Sequence, residues 1–280
     1  MANLLDIAVV HYSPLKDRRV FLKANLEKGW PCFWITENLA SRHSLNWESS
    51  PSVFGVPVRQ IAIDFRTNIV SKKKSRRLAY FESSILYHLK SLPFAPNFFK
   101  NRTVLPENKR LKDNFLDLIA MHFYAVEKGL ESDCEWLLVL EDDAVPRESF
   151  TKAISGVLSI VSKNDHDGPI WMNLNSGCRL VRTRSDSRPN EFGLFEVYPP
   201  NTRCATAYLI NKRYMIQLFE IITSYGVPDW LGIDMIYQVV NRKINAKSFW
   251  SEPVFFLQGS TEGIYRTNFR KRFDGLPADF

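Results

Sequence analysis

Residues 136–140, Trp-Leu-Leu-Val-Leu, are apolar without a break, and the run ends in three consecutive carboxylates, Glu141, Asp142 and Asp143, with Pro146 closing the turn. A stretch with no polar face reads as a buried strand, which fits a sheet covered by helices. Three adjacent carboxylates repel one another, and no turn requires all three. At the end of a buried strand they fall where open α/β sheets gather ligands. A hard divalent cation, Mg²⁺ or Mn²⁺, relieves such repulsion, because it takes carboxylate oxygens, keeps waters and bridges phosphates. In extended backbone Glu141 and Asp143 point one way and Asp142 the other. A solvated acidic turn is the alternative that the triplet alone leaves open.

The flanking pattern fits such a sheet. Phe115, Leu118, Ile119, His122 and Val126 recur at helical spacing, with Gly129 as the expected stop. His122 therefore falls on an apolar face, where a hydrogen-bonded core histidine is the plain reading. Upstream, residues 4–11 form an apolar run, 16–26 a helical stretch ending at Gly29, and 31–36 a second apolar run, which is a β–α–β opening. Residues 41–60 are Ser- and Pro-rich loop, 78–92 can form a helix, and 93–110 are irregular, basic and aromatic. Downstream, 150–161 reads as helix and 170–174 as strand, while 179–184 and 194–198 look like a hairpin around a polar turn. Residues 205–210 read as a strand. Asn211 then caps a helix whose stripe is Met215, Leu218, Phe219 and Ile222 and whose end is Gly226. A further helix begins at Asp234, 246–250 is a strand, and 253–257 leads into Gln258-Gly259-Ser260. The fold class expected is α/β, one domain over residues 1–280.

Composition removes several alternatives. Twenty Phe, 7 Trp and 10 Tyr in 280 residues carry too much burial area for a disordered chain. No apolar run approaches the ~20 residues a membrane-crossing helix needs. The N-terminal stretch lacks a basic region and a small-residue cleavage site, so it reads as a first strand rather than a signal peptide. Cys32, Cys134, Cys178 and Cys204 form no CxxC pair, which argues against structural zinc and a disulfide scaffold and for a reducing compartment. A sequon at Asn101 then carries no weight. Cys134 and Cys204, beside strand-like runs, suit small buried hydrophobes. The net charge of +7 favours an anionic partner. Part of it sits in Lys72, Lys73, Lys74, Arg76 and Arg77, and part in Arg266, Arg270, Lys271 and Arg272. These clusters are either solvated faces or contacts to an anionic membrane or acidic polysaccharide. Neither resembles a nucleic-acid-binding signature, so no nucleic-acid partner is expected. A cytoplasmic chain, able to sit peripherally at a membrane surface, is the expected setting.

Several segments together resemble the glycosyltransferases of the GT-A fold, most closely the family 25 type that acts on lipooligosaccharide or collagen. They are AVVHYSPLKDRR with His11 and Arg18, AMHFYAV with His122, LVLEDDAVP, ATAYLINKRYMIQLF, VPDWLGIDMIY and FWSEPVFFLQGS. They fall in the family's order over about 4–40 and 111–262, and residues 41–110 carry none of the likeness. Met121 stands where the family has serine, and the last histidine, His166, comes too early to be the C-terminal metal ligand many GT-A enzymes use.

The resemblance implies a Rossmann-like mixed, mainly parallel sheet flanked by helices. Residues 1–145 would be the nucleotide-sugar half, carrying a variable insertion at 41–110, and 146–280 the acceptor-side half and tail. It implies a metal-dependent inverting transfer from a nucleotide-sugar, most often a UDP-sugar, to a hydroxyl of a glycan, glycolipid or glycoprotein. Asp143 would be the direct ligand of Mn²⁺ or Mg²⁺, with Glu141 helping through water. Asp142, Arg18, His11, Gln258 and Ser260 would contact the donor, Arg18 through a planar fork suited to phosphate. The base that takes the acceptor's proton would be Asp234, ahead of Asp229, although Asp234 can equally be a helix cap. Trp230 and Trp250 either stack on sugar or pack in the core. A non-catalytic saccharide- or nucleotide-binding module on the same scaffold is the competing reading. A two-metal nuclease or phosphatase would need more clustered ligands than surround Asp143.

Overall fold

The computed structural model describes residues 4–26, 32–39, 45–48, 52–57, 111, 113–161, 167–175, 186–260 and 262–264, with single positions or pairs among 60–85 and at 182. Both basic clusters, segment 93–110, Gly29, Asn101, His166 and Cys178 lie outside them, as do most of 41–92 and 179–185.

A seven-stranded mixed sheet forms the centre. Its strands are β1 (Leu5–Val10), β2 (Cys32–Ile35), β6 (Trp136–Glu141), β8 (Ile170–Asn173), β9 (Leu194–Val197), β10 (Ala207–Asn211) and β12 (Lys247–Ser251). Their spatial order is β2-β1-β6-β10-β8-β12-β9. The pairs β2–β1, β1–β6 and β8–β12 are parallel, whereas β10 and the edge strand β9 run against their neighbours, so five of the seven strands share one direction. Short pairs lie outside the sheet: β3 (Trp47–Glu48) with β11 (Val227–Pro228), β4 (Ser52–Val53) with β5 (Val56–Pro57), and β7 (Ala144–Pro146) with β13 (Phe256–Gln258).

Alternation along the strands separates two cores. Ala8, Val10, Leu137 and Val139 face one apolar cluster with residues of α2 (Asp113–Glu131), α4 (Lys212–Tyr225) and α5 (Ile233–Lys243). Ile7, Val9, Leu138 and Leu140 face the other, with α1 (Lys16–Leu26) and α3 (Phe150–Val161). Both faces of β6 are covered, as an unbroken apolar run demands.

Local signals behave unevenly. Asn211 caps α4 as expected: its Oδ1 accepts from Tyr214 N at 3.0 Å and also from Ile170 N at 2.9 Å, tying the cap to β8. Gly226 ends that helix with φ 73°, and a Cβ there would lie 2.8 Å from Asn46 O. Gly129, by contrast, is no stop. The helix runs through it to Glu131 and the chain turns at Asp133, φ 59°. A Cβ on Gly129 would lie 2.9 Å from Met215 Sδ and 3.0 Å from Leu137 Cδ2, so the missing side chain lets α2 approach α4 and the sheet. Residues 194–197, expected to form a hairpin with 179–184, pair with β12 as β9, and Glu252 N donates to Gly193 O at 2.8 Å; 179–184 lie outside the described residues apart from 182. Cys134 and Cys204 are buried, and burial pushes the Cys134 thiol up to about 11. Among the described residues no helix is long and apolar enough to cross a membrane.

Candidate active site

Strand register gathers the acidic residues with the groups that meet them. Val10 pairs with Glu141, so His11 leaves β1 beside Asp142. Ala207 pairs with Leu140, and Glu141 N donates to Thr206 O at 2.8 Å, which sets the residues preceding β10 beside the acidic turn. Gln258 pairs with Ala144, and Gly259 N donates to Asp143 O at 2.8 Å, which brings Ser260 to the same place. The first turn of α5 completes the group with Asp234.

Each carboxylate has a distinct environment. Asp142, buried, is engaged internally at both oxygens. Arg18 Nη1, from the first turns of α1, donates to Oδ1 at 2.6 Å, and Oδ2 accepts from Tyr12 N at 3.0 Å and stands 3.2 Å from His11 Nδ1. It therefore clamps the end of β1 and the start of α1 to β6. Asp143, 5% exposed, accepts from Ser260 Oγ at Oδ2, while its Oδ1 is buried and has no hydrogen-bond partner among the described residues. Burial, with Glu141's charge next, pushes Asp143 up to about 7. Glu141 takes His122 Nε2 at 3.3 Å on Oε1 and Thr206 Oγ1 at 3.2 Å on Oε2; burial and the charge of Asp142 push it up to about 7.

Asp234 is not a helix cap. The cap of α5 is Gly232, and Asp234 Oδ1 reaches across to accept from Ala205 N at 2.5 Å. Burial and the nearby charge of Glu141 raise it to about 6, which places it in the same electrostatic cluster. Asp229 is also buried, held through its backbone, which donates to Glu48 O and accepts from Leu111 N. Gln258 is half-buried and accepts at its carbonyl from Glu262 N. Trp230 and Trp250 are core residues, not surface platforms.

Beneath Glu141 lies a buried aromatic layer. His122 Nδ1 stands 2.9 Å from Tyr208 Oη, which stands 2.7 Å from Tyr237 Oη, and Trp171 stacks on Tyr208 with ring centroids 4.3 Å apart. Burial drops His122 to about 4, so the ring is neutral at pH 7. Thr206, Tyr208 and Tyr237 escape a sequence reading, since only the antiparallel insertion of β10 beside β6, with Tyr237 of α5 meeting Tyr208, brings them to the acids. Arg203 does too: buried, it donates through Nη1 to Ser251 O at 3.1 Å and lies 4.2 Å from the Trp250 ring centre.

Among the described residues no set of three or more His, Cys, Asp or Glu side chains forms a metal cage. The donor set instead fits a cation held by one carboxylate and completed by waters and substrate phosphates, the usual arrangement for Mg²⁺ beside a nucleotide. The unpartnered Oδ1 of Asp143 is the atom that such a cation would satisfy. A surface depression lined by Glu135, Asp167, Asn211, Lys212, Arg213 and Ile216 lies at the opposite ends of β6 and β8. It contains none of these acids, and the crowding of buried carboxylates is the better guide to chemistry.

Fold and cluster together define an α/β protein with an acid-lined site across the carboxyl ends of its central strands. No known family's model matches the chain, and no curated protein matches it.

Proposed function

We propose that this chain is a GT-A-type, divalent-cation-dependent inverting glycosyltransferase that moves a sugar from a nucleotide-sugar, a UDP-sugar by preference, to a hydroxyl of a glycan, glycolipid or glycoprotein. The observation that carries the reading is Asp143, which keeps one buried oxygen without a partner at the end of the central strand, beside two further raised carboxylates. Breaking the bond between an anomeric carbon and a phosphate oxygen builds charge on the departing diphosphate, and Mn²⁺ or Mg²⁺, when bound, neutralises that charge. Asp143 Oδ1 would hold the cation, and Glu141 would accept hydrogen bonds from its waters. Arg18 and His11, fixed by Asp142, would line the nucleotide side with Ser260 and Gln258. Asp234 would take the proton of the attacking hydroxyl. A carboxylate raised to about 6 is ionised at neutral pH yet basic enough for that task.

The internal engagement of both Asp142 oxygens favours a second reading, a saccharide- or nucleotide-binding module without turnover. Thermal unfolding with UDP and Mn²⁺ tests the shared part: ligand at 100 times its Kd stabilises the fold by about 2.7 kcal/mol. The expected shift is specific to UDP over GDP and CMP and disappears with chelator; no shift with any nucleotide and metal overturns the glycosyltransferase reading and leaves only a module that binds saccharide. Release of sugar from a panel of UDP-sugars then separates enzyme from module, since the module releases none.

A further inference from the structure

The contacts beneath Glu141 have a direction that can be worked out from donors and acceptors alone. Tyr237 Oη has one hydrogen-bond partner among the described residues, Tyr208 Oη. A buried hydroxyl proton with no acceptor costs more than an unused lone pair, because the hydroxyl's one donor is then wasted while its oxygen still has a second site. Tyr237 therefore donates to Tyr208. Tyr208, its oxygen occupied, donates to His122 Nδ1, 2.9 Å away. A neutral imidazole that accepts at Nδ1 must carry its proton at Nε2, and Nε2 faces Glu141 Oε1 at 3.3 Å. The order of donation is Tyr237, Tyr208, His122, Glu141. Trp171, stacked on Tyr208 and tilted against Tyr237 at 4.6 Å, leaves neither phenol room to rotate away.

We infer that Tyr237, Tyr208 and His122 form a positioning chain that fixes the imidazole tautomer so that Glu141 is always met by a donor. Its carboxylate is thereby held in one orientation toward the cation proposed above. His122 and the two tyrosines touch neither cation nor substrate; they act through Glu141. The cation-binding consequence rests on the glycosyltransferase reading, whereas the tautomer does not. Without the Tyr208 hydroxyl, Nδ1 loses its donor and the carboxylate alone holds the proton at Nε2, so the ring and Glu141 lose their fixed orientation. Residues that orient a metal site in this manner change cation affinity by about 10- to 100-fold when removed.

Two readouts test the chain. NMR of protein labelled with nitrogen-15 histidine, with the signal assigned by its loss in His122→Gln, is expected to show His122 protonated at Nε2 and bare at Nδ1. Tyr208→Phe, which keeps the ring and its stacking, leaves Glu141 alone to hold the imidazole and is expected to weaken Mn²⁺ binding, read from thermal shifts in saturating UDP, by about tenfold. Tyr237→Phe leaves Tyr208 able to donate and is expected to cost less. His122→Gln, whose amide nitrogen can stand near the place of Nε2, should retain most of the Mn²⁺ affinity, and His122→Leu should lose at least as much as Tyr208→Phe. The histidine pair decides the matter if the tyrosine variant does not fold. A wild-type His122 protonated at Nδ1, or equal Mn²⁺ affinity in wild type, Tyr208→Phe and His122→Leu, overturns the chain. If wild type takes up no Mn²⁺, the glycosyltransferase reading falls, and the tautomer alone upholds or overturns the order of donation.

Discussion

Asp142 and Asp143 are neighbours with opposite energetic roles. Asp142 is surrounded by donors, so Asp142→Asn, which removes the negative charge and turns one of the two accepting oxygens into an NH₂ donor, weakens the clamp between β1, α1 and β6, the 2.6 Å Arg18 contact included. A part-buried, hydrogen-bonded pair of this kind is worth about 2 kcal/mol, and urea unfolding of the variant should show a loss of that order; an unchanged midpoint would mean the clamp is ornamental. Asp143 carries an uncompensated cost, since burial disfavours its charge and one oxygen is unpartnered. Asp143→Asn should therefore stabilise the metal-free protein at pH 8, on the order of 1–2 kcal/mol, while abolishing both sugar release and the Mn²⁺-dependent shift. A variant that is both less stable and still metal-responsive contradicts the assignment. Sequence alone told the two residues apart only by the side of the backbone each faces. The partners that make one a structural clamp and the other a strained site come from the end of β1, the start of α1 and the residues after β13, more than a hundred residues away from the triplet.

Among the elements, what the sequence made legible was local. The unbroken apolar run of β6, the stripe and cap of α4 and the helical period of α2 each follow from the chain's own spacing, and the structure has all three. Strand direction did not follow. Nothing in residues 205–210 says that they run against β6, because a fully buried strand looks the same in either sense, and that reversal is what sets Thr206 and Tyr208 against the acids. The role of Gly129 was hidden for a similar reason: a glycine near a helix end marks a stop or a close approach, and only the position of Met215 distinguishes them. Gly129→Ala should accordingly cost about 1–3 kcal/mol through overpacking, read from the thermal midpoint, whereas a mere stop signal would gain from alanine's helix preference. Asn211→Ala removes a cap and leaves Ile170 N without its acceptor. Its cost should exceed the ~1 kcal/mol of an isolated cap by a further ~1 kcal/mol.

For the whole molecule the acid cluster sets how stability depends on pH. Glu141 and Asp143 are raised from 4.5 and 3.8 to about 7, and Asp234 from 3.8 to about 6. A carboxylate whose folded value is raised holds protons that the unfolded chain has already released. Its contribution is present below the unfolded value and is lost as pH rises through the folded one. His122, lowered from 6.5 to about 4, acts in the opposite sense, because the unfolded chain binds its proton between those values and the fold does not. From pH 4 to 6.5 the histidine offsets the acids. Above 6.5 it no longer changes, while Glu141 and Asp143 are still ionising against burial and against Asp142, with Arg18 opposing. Each unit of upward shift is worth about 1.4 kcal/mol once the group is charged. The metal-free protein should therefore lose on the order of 2 kcal/mol between pH 6.5 and 8, seen as a falling urea midpoint in chelator. Mn²⁺ with UDP should restore most of that loss at pH 8 and little at pH 5, where the carboxylates are protonated and cannot hold a cation. A midpoint that rises over this range, or a metal effect as large at pH 5 as at pH 8, would place the cation somewhere other than the acidic end of β6.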